Sequence, residues 1–167
     1  KLKKGILEIR SKSINIKILE KFKPLHNVIP AFSLNPEYVI KEFEDKTPSL
    51  SKRLKAIVKL QNLGWFIGLR FDPFIYCEKK KNYQDFFNKV FESIDRKRIH
   101  SVTLGKFRMP DSYLKRISKI RPDNYLIQLE NARRIFPKID NSYEEVHQPY
   151  LIKLITKFID KEKVFIN

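Results

Sequence analysis

Short apolar runs of strand length alternate along this chain with stretches whose apolar residues recur at three- and four-residue spacing. Ile6 to Ile9 and Val28 to Phe32 read as strands, with "NIKILEKF" as a short helix-like stretch between them and Pro24 to Asn27 as the turn. Asn35-Pro36 predicts a helix start, an N-cap residue followed by proline at the first helical position. That helix carries Val39, Ile40 and Phe43 inward and ends near Glu44. Thr47-Pro48 predicts a second start, after which Leu50, Leu54, Ile57, Val58 and Leu60 or Gln61 keep the helical period up to Gly64, a C′ residue.

The strand "WFIGLRF" follows and stops at Asp72-Pro73, where a proline that cannot donate to a ladder predicts the edge of the sheet. An aromatic helix, "YQDFFNKVFESI", places Phe86, Phe87, Val90, Phe91 and Ile94 on its core stripe. The strand "HSVTLGKF", a short helix in "DSYLKRISKI" and an extended run in "NYLIQLE" come next. A last helix spans roughly Gln148 to Lys161, and Val164 to Ile166 forms a final short strand. Strand and helix alternating in this way predict an α/β fold with a parallel sheet or barrel and right-handed crossovers. In such folds ligands sit beyond the carboxyl ends of the strands. Four polar strand ends share that rim: Arg10 to Ser13, Ser33 to Asn35, Arg70 to Pro73 and Gly105 to Arg108.

Composition narrows this picture only in places. The 167 residues suit one domain, and 42% hydrophobic with 13% aromatic residues exclude a disordered chain. Against 19 acidic residues stand 35 Lys and Arg, a net charge of +16 that favours polyanions. The basic residues are dispersed, however, and A/T-rich codon usage alone also inflates Lys, Ile, Asn and Phe. Any nucleic-acid face must therefore be assembled by folding. One cysteine, Cys77, excludes an internal disulfide framework and is no metal site by itself; a small inert residue is the simpler reading of it. His26, His100 and His147 have no partner at metal-ligand spacing. No apolar run reaches the ~20 residues of a membrane span, so no membrane is expected and a cytoplasmic protein is. The chain starts almost directly on a strand, which suggests that it begins inside a larger fold.

The stretches "LEIRSKSINI", "NVIPAFSLNPEYVIKEFEDKTPSLSKRLKAIVKLQNLGW", "GLRFDPFIY" and "SVTLGKFRMP" resemble the C-terminal half of the spore photoproduct lyase family of radical S-adenosylmethionine (AdoMet) enzymes. "SLNPEYVIKEFEDKTPSLSKRL" is the most specific of them, and the resemblance is good from Leu7 to Pro110 and weak beyond. It implies a partial (β/α) barrel of the radical AdoMet type, with about the last four parallel strands and their helices present. On that reading residues 1–167 are a single incomplete domain, barrel over 1–110 and C-terminal helical extension over 111–167.

The resemblance further implies that a 4Fe-4S cluster on a CxxxCxxC loop reduces AdoMet, and that the resulting 5′-deoxyadenosyl radical repairs a thymine photoproduct in DNA. No CxxxCxxC occurs in this sequence. The cluster loop, the first strands and the family's hydrogen-donor cysteine are expected on a missing N-terminal half. In the family the lysine of the "RSKS"-like end and the serine of the "SLN"-like end contact AdoMet, which carries over to Lys12 and Ser33. An ammonium can pair with the cofactor's carboxylate, and a hydroxyl can donate to and accept from its sugar. The alternatives are a solvated strand-end lysine and a turn serine. Asn35 is a further candidate contact, although capping the helix at Pro36 also explains it.

Arg10, Arg70, Asp72 and Arg108 share the rim, where arginines can bind DNA phosphates or the cofactor carboxylate, while Asp72 can simply pair with Arg70 or Arg108. Arg133 and Arg134 lie where the family places substrate-facing basic residues. Its tyrosine next to an arginine is not matched, since Ile135 follows Arg134. The competing reading is a non-catalytic, basic nucleic-acid-binding remnant.

Overall fold

The computed structural model describes residues 5–74, 80–106, 110–124, 127–128 and 149–166. Cys77, Arg108, Arg133 and Arg134 lie outside the described residues. The chain divides into two compact units, Lys1–Lys106 with Leu154–Asn167, and Phe107–Lys153.

The first unit contains β1 (Leu7–Ser11), α1 (Lys17–Lys21), β2 (Val28–Ser33), α2 (Glu37–Phe43), α3 (Leu50–Asn62), β3 (Ile67–Phe74), α4 (Lys80–Ser93), β4 (Ile99–Lys106) and, at its end, β5 (Val164–Ile166). All five strands pair in parallel, in the order β1-β2-β3-β4-β5. This is the α/β sheet expected, with the short final strand as its fifth member. The second unit contains α5 (Asp111–Ile120). Residues 149–155 form a helix, α6.

The helix ends show how local chemistry sets the chain's course. Ser49, not Thr47, caps α3, accepting from the Lys52 N–H at 3.4 Å. At its other end Gly64 adopts φ +99°, its N–H bonding the Gln61 carbonyl while the Trp65 N–H bonds the Leu60 carbonyl. That paired pattern is a Schellman stop, and it delivers the chain straight into β3. The Gln61 amide then clamps the far end of α4, donating to the Asp95 carbonyl at 2.8 Å and accepting the Asp95 N–H at 2.9 Å.

Side chains alternate across a strand, so the sheet has two faces. One carries Phe32, Leu69, Phe71, Val102 and Leu104 into a core with Leu54, Ile57 and Leu60 of α3 and the aromatic stripe of α4. Phe71 is its centre, meeting Phe86, Phe87 and Phe91 edge-on at 5.6, 5.0 and 6.2 Å. The other face is mostly polar or small, with Glu8, Arg10, Ala31, Ser33, Gly68, Arg70, Asp72, Ser101, Thr103 and Gly105, and with Ile29 beside Glu8 and Phe165 beside Thr103.

Three expectations change. Strand β3 does not end the sheet at Pro73: it is the central strand and continues to Phe74 through a register shift between Phe71 and Phe74. An irregularity leaves the proline's missing donor outside the regular ladder. Within "NYLIQLE", Ile127 and Gln128 are helical, the Gln128 N–H bonding the Asn124 carbonyl at 3.0 Å. The last helix is shorter than expected, with turns at 156–158 before β5.

On the β1 side of the sheet, apolar side chains stand exposed among the described residues. Leu7 and Ile9 are about half exposed, and Ile18 of α1 and Phe22, the residue that caps its C-terminus, are 71% and 62% exposed. Helix α1 buries no residue at all.

Candidate functional site

The polar face is built around charges that need room. Arg70 projects from β3 and lies across the sheet toward β1, its Nε and Nη2 donating to Glu8 at 3.0 and 2.5 Å. It also bonds the Ser101 hydroxyl and the Ser101 and Leu69 carbonyls. A Cβ at position 68 would stand 2.8 Å from the Arg70 Nη2 and 3.0 Å from the Ala31 Cβ, so the small residues at 31 and 68 make the path. The Arg70 hydrogen bond and charge hold Glu8 below the usual carboxylate range despite partial burial. Arg70 is therefore a buried strut, 4% exposed, and not an open rim cation. Burial, helped by the Arg70 charge, pushes the neighbouring His100 below its ordinary pKa.

One register step nearer the rim, Arg10 pairs with Asp72 at 3.2 Å and donates to the Asp72 carbonyl at 2.8 Å. Asp72 thus pairs with neither Arg70 nor, among the described residues, any arginine but Arg10. Its carboxylate rests over Gly105, where a Cβ would come within 2.8 Å of the Asp72 Cγ. The Arg10 Nε also reaches the Ser33 Oγ at 3.4 Å.

At the rim itself a residue unforeseen in the sequence takes the centre. Glu44, at the C-terminus of α2, has a side chain only 3% exposed. Its Oε1 accepts from Lys12 Nζ at 2.9 Å and from Asn35 Nδ2 at 2.8 Å. Its Oε2 accepts from Arg53 Nη2 at 2.5 Å and from the Thr47 hydroxyl at 3.3 Å. Arg53 is fully buried on α3 and also donates to the Ser33 carbonyl at 2.9 Å. Burial pushes the Glu44 pKa up, but the hydrogen bonds from Asn35, Arg53 and Lys12 outweigh it and hold the carboxyl below its usual range.

The three residues singled out as cofactor contacts are thus brought together, tied to one carboxylate–guanidinium pair. Lys12 is not a freely solvated lysine; its side chain is 36% exposed and ion-paired. Ser33 closes β2 and is buried. Asn35 is not the helix cap: Pro36 holds that position, and the Asn35 amide turns toward Glu44 because a proline already fixes the entry to α2. The available signal for the missed residues was Arg53, a charge on the inward period of Leu50, Leu54 and Ile57 that demands a buried anion.

Among the described residues no group of three or more His, Cys, Asp or Glu could hold a metal ion. No described helix is long and apolar enough to cross a membrane.

The spore photoproduct lyase of Clostridium acetobutylicum is 29% identical over 104 residues, which cover 62% of this chain and 31% of that protein. That of Bacillus subtilis is 32% identical over 106 residues, with the same coverage of 62% and 31%. The chain therefore spans under a third of the curated relatives it matches. A solved mutant spore photoproduct lyase with bound AdoMet and dinucleoside spore photoproduct shares the fold with a TM-score of 0.74 at 19% identity, covering 97% of this chain and 50% of that one. A spore photoproduct lyase complexed with dinucleoside spore photoproduct gives 0.71 at 18% identity over the same 97% and 50%. The family model for spore photoproduct lyase matches residues 4–159, nearly the whole sheet and both units, and on that match the chain belongs to the spore photoproduct lyase family.

Proposed function

We propose that this chain is the AdoMet-facing half of a DNA repair enzyme of the spore photoproduct lyase type, acting on a thymine photoproduct when completed by an N-terminal half that carries a 4Fe-4S cluster. The observation that carries this reading is the convergence of Lys12, Ser33 and Asn35 at the carboxyl ends of β1 and β2, in a chain of this family.

The donor set fits the cofactor. The half-exposed Lys12 ammonium offers a cation to a carboxylate, the Ser33 hydroxyl suits a ribose oxygen, and Asn35 lies beside them in the same network. When bound, AdoMet supplies the radical chemistry of the family. This chain's residues bind and orient it. Arg10, half-exposed and steadied by Asp72, completes the rim. Arg108, Arg133 and Arg134 are assigned to phosphate contacts on sequence grounds, with the +16 charge favouring DNA. The uncovered apolar flank of β1 and α1 is where the N-terminal half docks: each large side chain buried there contributes ~1.5–3 kcal/mol.

The test joins the chain to a cluster-binding N-terminal half from a relative. AdoMet affinity is measured by calorimetry, and repair of an oligonucleotide carrying the photoproduct by chromatography. Lys12→Ala and Ser33→Ala should each weaken AdoMet binding by about tenfold or more. Salt-sensitive DNA affinity with no repair, and with AdoMet binding indifferent to both substitutions, would favour the non-catalytic remnant and refute the proposal.

A further inference from the structure

The two oxygens of Glu44 face different worlds. Oε2 is fixed from the core by Arg53, whose side chain is 0% exposed and whose Nε and Nη1 are committed to the Pro48 and Ser33 carbonyls at 2.9 Å each. Oε1 accepts from the Lys12 ammonium and the Asn35 amide. Lys12 and Asn35 come from different strand ends, and Glu44 from the far end of α2, nine residues after Asn35. Thr47 adds a second anchor, donating to the Glu44 carbonyl at 2.9 Å and holding the turn after α2 in place.

Resting on the AdoMet reading above, we propose that Glu44 is the positioning residue of this rim, aiming Lys12 and Asn35 at the cofactor through one shared oxygen. A lysine has four flexible torsions and loses much rotamer freedom when it grips a ligand. Held by a carboxylate that is itself pinned to a buried arginine, Lys12 surrenders that freedom on folding and not on binding, which is preorganisation. An ammonium has three donors, so one can bond Glu44 and others a ligand. Lys12, Glu44 and Arg53 together carry a net charge of +1, which suits a single carboxylate better than a polyphosphate.

The test uses the chain joined to its cluster-binding half, with two readouts that need no turnover. The first is AdoMet affinity by calorimetry for Glu44→Gln, Lys12→Ala and the double variant. The second is the labelling rate of the Lys12 amine by an acylating reagent, followed by mass spectrometry with exposed Lys52 as the internal standard. Glu44→Gln should weaken AdoMet about tenfold and speed Lys12 labelling toward the Lys52 rate. The double variant should lose less than the product of the two single losses, because Glu44 acts in large part through Lys12. Glu44→Asp keeps the charge against Arg53 and withdraws it from Lys12 by one methylene. It should fold and show the same labelling change, so a folding failure of Glu44→Gln does not end the test.

Unchanged affinity in Glu44→Asp and Glu44→Gln while Lys12→Ala weakens binding overturns the positioning role alone. Losses from Glu44→Gln and Lys12→Ala that simply multiply in the double variant overturn it too. If Lys12→Ala leaves AdoMet affinity intact, the cofactor reading itself fails and takes this proposal with it.

Discussion

Replacing Arg53 with methionine separates the two roles of its ion pair. The substitution keeps the apolar stem on the buried face of α3 but removes four hydrogen bonds, to the Pro48 and Ser33 carbonyls, the Glu44 carboxylate and the Thr47 hydroxyl. Its main consequence is a stranded anion: Glu44 is 3% exposed and loses the guanidinium on Oε2. Breaking one partner of a buried pair costs about 3–5 kcal/mol. Lys12 and Asn35 still hold Oε1, which places the expectation at the low end, about 3 kcal/mol. At ~2–4 °C per kcal/mol for a chain of this size, melting should fall by about 6–12 °C. Urea titration should show the midpoint falling with the slope unchanged, the signature of a stability change without a change in exposed surface. The double variant Glu44→Gln with Arg53→Met should recover part of the loss, since it removes the stranded charge. A loss below ~1 kcal/mol for Arg53→Met, or a double variant worse than both singles combined, would refute the account of a paired, desolvated carboxylate.

Other outcomes follow from the same geometry. Gly68→Ala pushes a methyl group into the space held by the Arg70 guanidinium and the Ala31 methyl, and should cost about 1–3 kcal/mol by thermal melting. Acid should weaken the fold in two steps. His100 titrates below its ordinary pKa when folded, so the unfolded chain takes its proton first and stability drops as pH falls through the ordinary histidine range. Glu8 and Glu44 titrate below 4.5 when folded, so their contribution is present above that value and is lost as pH falls below it; urea midpoints between pH 7 and 3 measure both steps. Ile18→Lys alters a side chain 71% exposed, so melting of this chain alone should move by no more than ~0.5 kcal/mol, while pull-down of a cluster-binding N-terminal half should weaken clearly.

The layout of the first unit was legible because its signals are local and redundant. The aromatic period of α4, the glycine stop after α3 and the short "VFI" run at the end each point to one conformation, and all appear as expected. Pro73 misled because a proline's missing donor marks an edge only when the ladder is regular, and β3 passes it at an irregularity. Asn35 misled for a related reason: Asn-Pro is a helix-start signal, but Pro36 alone suffices, which left the amide for a longer-range partner. The family resemblance gathered Lys12, Ser33 and Asn35 by motif; it did not supply what joins them. Glu44 looks like an ordinary solvent-facing residue ending an amphipathic helix, and only the fold brings Arg53 and two strand ends onto it.

The outer side of β1 has a consequence for the chain as a substance. Among the described residues β1 has a neighbour on one side only, and Leu7 and Ile9 beside that open edge are about half exposed. An edge of unpaired amides flanked by isoleucine and leucine is a template onto which any extended segment can add. On its own the chain should form concentration-dependent assemblies nucleated at β1, and a charged residue at Ile9 should suppress them while leaving the Glu44 network untouched.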